Sequence, residues 1–181
     1  MRTDWILREE LQHILAALTP PNRLACEISL ATGLRISDVL ALTREQVLNR
    51  RFGVYEAKTG KTRRVYLPDE LQRRALLMAG PVYVFSHRVD GNRHRTRQAV
   101  YKDLKRAARL FRVKANLGPH SLRKVWAVEQ FQRDGDLKRV QHLLNHDSEA
   151  VTMLYAMADE ITSRRRGTRR RNHGPKGHDR Q

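Results

Sequence analysis

The sequence predicts an α+β protein that is mostly helical and carries one small antiparallel β-hairpin. Two observations support this: apolar residues recur at helical spacing along most of the chain, and the period changes to two only over residues 52–68. At 181 residues the chain can bury the core of one domain. We expect that domain to cover residues 1–163, followed by a basic, disordered tail at residues 164–181.

The amino-terminal half of the chain is predicted to be helical on both sides of the hairpin. Pro20 and Pro21 end the first apolar run, because proline lacks the amide hydrogen that a helix interior needs. Gly33 is expected to end the second helix and Ser37 to cap the next, which places Arg35 on the connection between two buried helices. The predicted elements outside the hairpin are helices at 8–18, 22–32 and 69–79 and a short strand at 81–85.

The carboxy-terminal half is predicted to contain helices separated by turn-forming residues. Gly135 and Asp136 end one helix and begin the next, because glycine suits the position after a helix and aspartate suits an N-cap. A second break at 145–148 precedes a last short helix that carries Tyr155. The earlier helices are expected at 96–112, 121–134 and 136–145. In the first of these, an apolar stripe should face the core: Val100, Leu104, Ala107, Ala108 and Phe111.

The charge of the chain indicates a polyanionic partner. Thirty-six Lys and Arg against nineteen Asp and Glu give a formal net charge of +17. Residues 164–181 hold eight Lys or Arg and one acidic residue, a net charge of +7, which leaves +10 for residues 1–163. The globular part is therefore basic in its own right, and nucleic acid is the partner that this charge favours.

Cysteine use and hydropathy indicate a reducing, aqueous compartment. The single cysteine, Cys26, excludes an internal disulfide framework. Apolar runs are too short to span a membrane, and the charged opening MRTDWILREE lacks the apolar core of a signal peptide. We therefore expect a cytoplasmic protein that does not interact with membranes.

Two basic surfaces are expected to contact nucleic acid. One is the tip of the hairpin around Thr59 and Gly60, and the other is the outer face of the helix at 96–112, where nearly all charges are positive. A charged helix face or hairpin tip is more often simply solvated, but the uniform sign favours a phosphate backbone. The candidate DNA-binding residues are Lys61, Arg63, Arg64, Arg97, Lys102, Lys105, Arg106, Arg109 and Lys124.

Six side chains together form a complete set for attack on a phosphodiester: Arg35, Lys58, His120, Arg123, His146 and Tyr155. Two guanidinium groups can hold the non-bridging oxygens and stabilise a pentacoordinate transition state, so that no metal or cofactor is needed. The tyrosine can attack to give a phosphotyrosine ester, a histidine can take the phenol proton or bind the phosphate, and the lysine can protonate the leaving 5′ oxygen. Taken alone, Arg35 is more often structural, with Asp38 as its ion-pair partner.

These residues lie in four motifs that resemble the tyrosine recombinases, also called the phage integrase family. The motifs are ATGLRISDVLALT with Arg35, AKTGKTRRVYLP with Lys58, PHSLR with His120 and Arg123, and HLLNHDSEAVTMLY with His146 and Tyr155. The resemblance covers roughly residues 8–159, in the family's order and spacing. It implies the tyrosine recombinase catalytic fold, two arginine phosphate clamps, two assisting histidines and a tyrosine nucleophile. It also implies Lys58 as general acid, with Lys61 as a second candidate.

The resemblance implies a site-specific DNA recombinase that cleaves and rejoins double-stranded DNA through a 3′-phosphotyrosine intermediate. Such an enzyme is expected to work as a homo-oligomer, a tetramer on DNA, together with accessory DNA-binding proteins. Three positions depart from the family pattern: Asp38 replaces a more usual glutamate, Lys124 a frequent histidine or arginine, and Asn145 a common glycine. Only about seven residues precede the first predicted helix, so the chain resembles either the family's catalytic-domain-only members or a fragment of a longer protein.

Three other functions fit parts of the pattern. A type IB-like topoisomerase would use the same kind of tyrosine ester, and its active site would look alike. A DNA-binding regulator without cleavage activity would have no need of Tyr155. A zinc hydrolase is suggested by His142 and His146, four residues apart, but Leu143 occupies the position of the glutamate base that such a site requires.

Overall fold

A computed structural model describes residues 4, 6 and 8–144 of the chain. The chain divides into two compact units, Met1–Glu129 and Gln130–Gln181. The helices are α1 (Arg8–Ala16), α2 (Pro20–Thr32), α3 (Ile36–Leu40), α4 (Arg44–Val47), α5 (Asp69–Met78), α6 (Arg97–Leu110), α7 (Pro119–Asp134) and α8 (Leu137–Leu143), and the strands are β1 (Arg51–Glu56) and β2 (Lys61–Tyr66). The predicted class, α+β and mostly helical with a small antiparallel sheet, is confirmed.

Helix α2 is the centre of the first unit, in contact with α1, α3, α5 and α6. Its sequence PPNRLACEISLAT is rich in small side chains, which allow neighbouring helices to approach closely. Leu24, Ala25, Cys26 and Ile28 are fully buried. This packing makes the carboxyl end of α2 a rigid support for the turn that follows it.

An acid from another helix completes the amino terminus of α2. Asp103 on α6 accepts hydrogen bonds from the amide and hydroxyl of Thr19, the N-cap residue, both at 2.9 Å, and from Asn22 Nδ2 at 2.7 Å. A carboxylate at this end satisfies amides that the helix leaves unpaired and interacts favourably with the helix dipole. Asp103 therefore fixes α6 against α2.

The hairpin gives one face to the core and one to solvent. Strands β1 and β2 pair antiparallel with Val54 opposite Arg63 and Glu56 opposite Lys61. Val54, Glu56 and Val65 are buried, whereas Tyr55 and Arg64 are exposed. The period of two that identified the hairpin thus also sets which of its side chains point inward.

The structure corrects several sequence predictions. Residues 81–85 form no regular strand, and Tyr83 makes only an isolated bridge with Thr43. Helix α3 has Arg35, not Ser37, as its N-cap residue, so the helix begins two residues earlier than expected.

Two further differences concern helix bounds. Phe111 is 45% exposed rather than buried, because α6 ends at Leu110, before the predicted apolar stripe is complete. The short helix α4, which has a capping box between Thr43 and Gln46, had not been predicted.

In the second unit, the predicted break between two helices is confirmed. Gly135 follows α7 with a φ of 70°, a conformation that glycine adopts without strain. Asp136 caps α8, and its Oδ1 accepts the amide hydrogen of Arg139 at 3.0 Å. None of the helices between residues 8 and 144 has both the length and the apolar composition needed to cross a membrane.

Candidate active site

The turn between α2 and α3 presents Arg35. Gly33 ends α2 with a φ of 69°, and its amide donates to Ser29 O at 2.8 Å. A β-carbon at this position would lie 2.5 Å from the ring of Trp126, so only glycine fits beneath the indole. Arg35 follows two residues later as the N-cap residue of α3, and its side chain is 11% exposed. The backbone around it is therefore held by both conformation and packing.

Arg123 on α7 reaches the same turn from the other side. Its Nη1 donates to Gly33 O at 2.6 Å, and the residue is only 1% exposed. His120 lies one helical turn earlier on α7 and is half-buried. The spacing of three residues puts both side chains on one face of the helix, as the motif PHSLR requires for joint action.

One buried carboxylate joins the two predicted clamp arginines. Glu56, at the end of β1, has its Oε2 3.1 Å from Arg35 Nη1 and its Oε1 3.8 Å from Arg123 Nη1. Its side chain is 0% exposed. The structure thus brings together two arginines that are far apart in sequence, and it pairs Arg35 with Glu56 rather than with the predicted partner Asp38.

A third arginine belongs to this cluster. The Nη1 of Arg63 lies 3.8 Å from Glu56 Oε1, its Nη2 donates to Thr32 O, and its guanidinium lies 5.4 Å from the centre of the Trp126 ring. The sequence predicted a DNA contact for Arg63. The structure instead places its side chain, 15% exposed, on the inner face of the hairpin, where it supports the Gly33 turn.

Asp38 supplies a second acid close to the arginines. It is 6% exposed, and burial, together with the nearby charge of Glu56, raises its pKa above the ordinary value. The charges of Arg35 and Arg123 act in the opposite direction and lower the pKa. Three guanidinium groups against two carboxyl groups leave a positive cluster even with both acids ionised, so the cluster can still attract a phosphate.

The tip of the hairpin carries the predicted lysine. The amides of Thr59 and Gly60 donate to Glu56 O at 3.1 and 2.9 Å, and Thr59 Oγ1 lies 3.3 Å from Glu56 Oε2. Lys58 lies within this turn, two residues from Glu56, and is exposed, as is Lys61. The exposed Lys58 is thus carried by a turn that hydrogen-bonds to Glu56, the residue that joins the arginines.

The basic face of α6 is only partly free. Arg97, Lys102 and Arg109 are exposed, as is Arg64 on the hairpin. The Nη2 of Arg106 lies 2.7 Å from Asp103 Oδ1, and Lys105 donates to Asn116 Oδ1 and lies 5.6 Å from the Tyr101 ring. These two are therefore tied into the fold.

Lys124 does not have the outward position that a DNA contact requires. It is 3% exposed on α7, directly after Arg123. It was named as a candidate DNA-binding residue, but it is buried, and so are the two residues that follow it, Val125 and Trp126. This stretch of α7 is enclosed on all sides, which sequence periodicity did not indicate.

Two of the six predicted catalytic residues, His146 and Tyr155, lie outside the described residues, as do the predicted turn at 145–148, the last short helix and the tail at 164–181. The zinc alternative, which needs His146, is untested for the same reason. Between residues 8 and 144, no three His, Cys, Asp or Glu side chains are grouped to hold a metal ion.

Sequence reasoning missed Glu56, although a signal for it was present. Val54 is an apolar residue in a predicted strand and so should point inward, and the alternation of a strand then places Glu56 inward too. A buried acid is rarely tolerated without a basic partner. An inward-facing glutamate between motifs rich in arginine thus indicates an ion-pair centre.

Comparison with known proteins identifies the family. Residues 4–161 match the model of the phage integrase family. The chain belongs to that family. A probable integrase/recombinase of Bacillus subtilis (strain 168), YoeC, is 31% identical over 144 residues, which cover 74% of this chain and 75% of the relative. The tyrosine recombinase XerD of Pseudomonas aeruginosa is 34% identical over 146 residues, 74% of this chain and 48% of the relative.

Solved structures confirm the phage integrase catalytic fold. The XerH site-specific recombinase, bound to its palindromic difH substrate in a post-cleavage complex, superposes with a TM-score of 0.67 at 22% sequence identity. The match covers 88% of this chain and 52% of XerH. The chain thus spans about half the length of the XerD and XerH proteins that it resembles.

Proposed function

We propose that this protein is a site-specific recombinase that cuts and rejoins double-stranded DNA through a 3′-phosphotyrosine intermediate. The observation that carries the proposal is the pairing of Arg35 and Arg123 with one carboxylate, Glu56, at 3.1 and 3.8 Å. Two guanidinium groups this close together can contact the non-bridging oxygens of one phosphate. Family membership supports the same function.

In the proposed reaction, the phenolic oxygen of Tyr155 attacks the scissile phosphorus and the bond to the 5′ oxygen breaks. His120 or His146 takes the phenol proton or hydrogen-bonds to the phosphate, and Lys58 gives a proton to the departing 5′ oxygen. Arg35 and Arg123 stabilise the charge on the equatorial oxygens. The phosphotyrosine ester conserves the energy of the broken bond, so a 5′ hydroxyl from another strand can reverse the step.

We further propose that recombination takes place in a homo-tetramer on DNA with accessory DNA-binding proteins. Exchange between two duplexes requires four strand cuts, and one tyrosine per subunit then requires four subunits. The XerH complex with DNA supports double-stranded DNA as the partner of this family. A topoisomerase would need only one subunit, because it cuts and reseals one strand. Oligomeric state on the substrate therefore separates the two functions.

The direct test is trapping of the covalent adduct. On cleavage, a nicked duplex built from repeats that flank the coding region releases the short fragment that bears the new 5′ hydroxyl. Religation is then prevented, and the protein stays attached to the 3′ end of the remaining strand. We expect wild-type protein to form a band of reduced mobility in a denaturing gel. Tyr155→Phe should form none but bind the same duplex, since it loses only the nucleophile. Binding without any adduct in the wild-type protein would instead favour the DNA-binding regulator.

A further inference from the structure

We propose that Glu56 is a positioning residue of the strand-transfer site: its carboxylate holds the guanidinium groups of Arg35 and Arg123 in the arrangement that receives one phosphate. The inference rests on the proposed function and deepens it. Nothing in the four family motifs pointed to Glu56, because it precedes the lysine motif and carries no charge that DNA would attract.

The carboxylate is placed where it can hold both arginines at once. Its Oε2 faces Arg35 Nη1 at 3.1 Å, and its Oε1 faces Arg123 Nη1 at 3.8 Å, so each oxygen serves one arginine of the clamp. The glutamate side chain is 0% exposed, and that of Arg123 is 1% exposed. At such burial, water neither screens nor replaces these contacts. Glu56 therefore helps to hold both guanidinium groups, and Gly33 O is a second partner for Arg123.

Hydrogen bonds hold the backbone of Glu56 in place and so limit where its carboxylate can lie. Its own carbonyl accepts hydrogen bonds from the amides of Thr59 and Gly60, which close the hairpin turn. Arg63 lies 3.8 Å from Oε1 and is itself held by Thr32 O and the Trp126 ring. The acid is thus attached to the same rigid turn that carries Lys58, and its position links the general acid to the clamp.

If Glu56 only neutralised the charge of the arginines, its carboxylate would not need to face both guanidinium groups. Asp38 is a second buried acid in the cluster and already offsets part of the positive charge. Bidentate recognition of a phosphate requires two donors at fixed separation, and displacement of a catalytic group by about 1 Å can cost about 100-fold in rate. We therefore expect Glu56 to affect the rate of the chemical step more than the affinity for DNA.

The test compares Glu56→Gln with Glu27→Gln. Glu27 is a matched control, because its carboxylate also joins two arginines, Arg23 at 2.8 Å and Arg74 at 2.5 Å, away from the site. Single-turnover cleavage of the nicked duplex is measured at saturating protein, with the Kd measured separately on Tyr155→Phe backgrounds. We expect Glu56→Gln to slow cleavage by about 100-fold. The Kd should change by less than about threefold, since affinity is spread over many phosphate contacts.

Glu56→Asp keeps the charge and protects the fold if the glutamine variant is unstable. It withdraws the carboxylate by one methylene group, so cleavage should still slow by at least about 10-fold while the melting temperature stays near that of the wild type. Cleavage at the wild-type rate in both variants would overturn the proposal. Faster cleavage or tighter DNA binding would overturn it too, because it would show that the carboxylate competes with the phosphate.

A measurement without DNA separates this inference from the proposed function. Nitrogen-15 NMR of arginine side chains reports hindered rotation of guanidinium groups held by two or more partners. We expect the signals of Arg35 and Arg123 to show faster rotation in Glu56→Gln and to be unchanged in Glu27→Gln. If wild-type protein formed no adduct but this change were seen, the recombinase function would fail while the positioning role stood. Unchanged signals in Glu56→Gln would reject the positioning role.

Discussion

Gly33 supports both arginines of the proposed phosphate clamp, Arg35 and Arg123. Its carbonyl accepts the Arg123 hydrogen bond, its α-carbon lies beneath the Trp126 ring, and its left-handed φ turns the chain toward Arg35. No other residue type fits this position, because a β-carbon would collide with the indole of Trp126 and strain the left-handed backbone. A small residue thus determines where two large charged side chains lie.

Gly33→Ala should therefore lower stability and activity together. The left-handed backbone costs about 1–3 kcal/mol for a residue other than glycine, and the contact of 2.5 Å with Trp126 adds to that cost. We expect a loss of at least about 2 kcal/mol in the free energy of unfolding by denaturant titration. Gly91→Ala is the control, since a β-carbon there meets nothing within 4 Å, and its stability should stay near that of the wild type.

Lys58 can be distinguished from Lys61 by the chemistry of the leaving group. Removal of the general acid slows cleavage by about 10²- to 10⁴-fold, but a substrate with sulfur in place of the 5′ bridging oxygen needs no proton, because a thiolate leaves readily. We expect Lys58→Ala to be slow on the normal duplex and near wild-type rate on the sulfur substrate. If Lys61→Ala showed this rescue and Lys58→Ala did not, the roles of the two lysines would be reversed.

At the residue scale, sequence reasoning indicated which arginines lie together better than it indicated their ion-pair partners. The motifs selected Arg35 and Arg123 as a pair, and the structure brings the two arginines together on Glu56. The predicted ion-pair partner of Arg35 was wrong, because Asp38 is nearer to Arg35 in sequence but Glu56 is nearer in space. Long-range pairing depends on how the hairpin packs, and no local pattern encodes that.

At the scale of elements, one acid of α6, Asp103, accepts hydrogen bonds from both Thr19 and Asn22 at the amino terminus of α2. Burial raises the pKa of Asp103, but hydrogen bonds from Asn22, Thr19 and Arg106 more than offset this, and the net pKa lies below the ordinary 3.8. The folded state therefore binds the proton less readily than the unfolded state does. The stabilisation is fully present above about pH 4 and is lost as the pH falls through the folded-state pKa.

Asp103→Asn should accordingly flatten the acid limb of the stability curve. We expect it to be less stable than the wild type at pH 7 by about 1–3 kcal/mol, with the difference shrinking below pH 4. Urea titrations between pH 2.5 and 7 measure this. Asp69→Asn is the control, because its carboxylate pairs with Arg50 on an exposed surface, where ion pairs contribute little. A constant difference for Asp103→Asn across the pH range would contradict the linkage.

Hydrophobic periodicity predicted the helices that bury one face well. It predicted short segments and segments buried on all sides poorly. Helices α1, α2, α5, α6 and α7 lie within a few residues of their predicted positions. The apolar run at 81–85 resembled a strand but lacks a neighbouring strand to pair with regularly, and forms only an isolated bridge. Short apolar runs fill a core in either conformation, and tertiary contacts decide between them.

At the scale of the whole molecule, we expect the net charge of +17 to set much of the affinity for DNA. Residues 164–181 contribute +7 of it, and exposed arginines and lysines of α6 and the hairpin contribute a further part. Positive charge raises the affinity for any DNA duplex, whereas cleavage depends on the residues of the proposed active site. Deletion of a charged segment outside that site should therefore lower the affinity but leave cleavage.

Removal of residues 164–181 should weaken DNA binding without abolishing cleavage. Each phosphate contact contributes a slope of about −0.9 to the logarithm of affinity against the logarithm of salt concentration, so we expect a slope shallower by several units. Fluorescence anisotropy from 50 to 300 mM salt measures the slope, and ultracentrifugation on the same duplex measures oligomeric state. An unchanged slope would show that the tail does not touch the DNA backbone.

The most direct test of the central claim is to identify the bond between protein and DNA. The adduct is trapped in the presence of a metal chelator and then purified and digested with protease and nuclease, and the nucleotide-bearing peptide is sequenced by mass spectrometry. We expect a 3′-phosphoryl link to Tyr155 and a free 5′ hydroxyl on the other fragment. A link to any other residue, or through a 5′ phosphate, would contradict it.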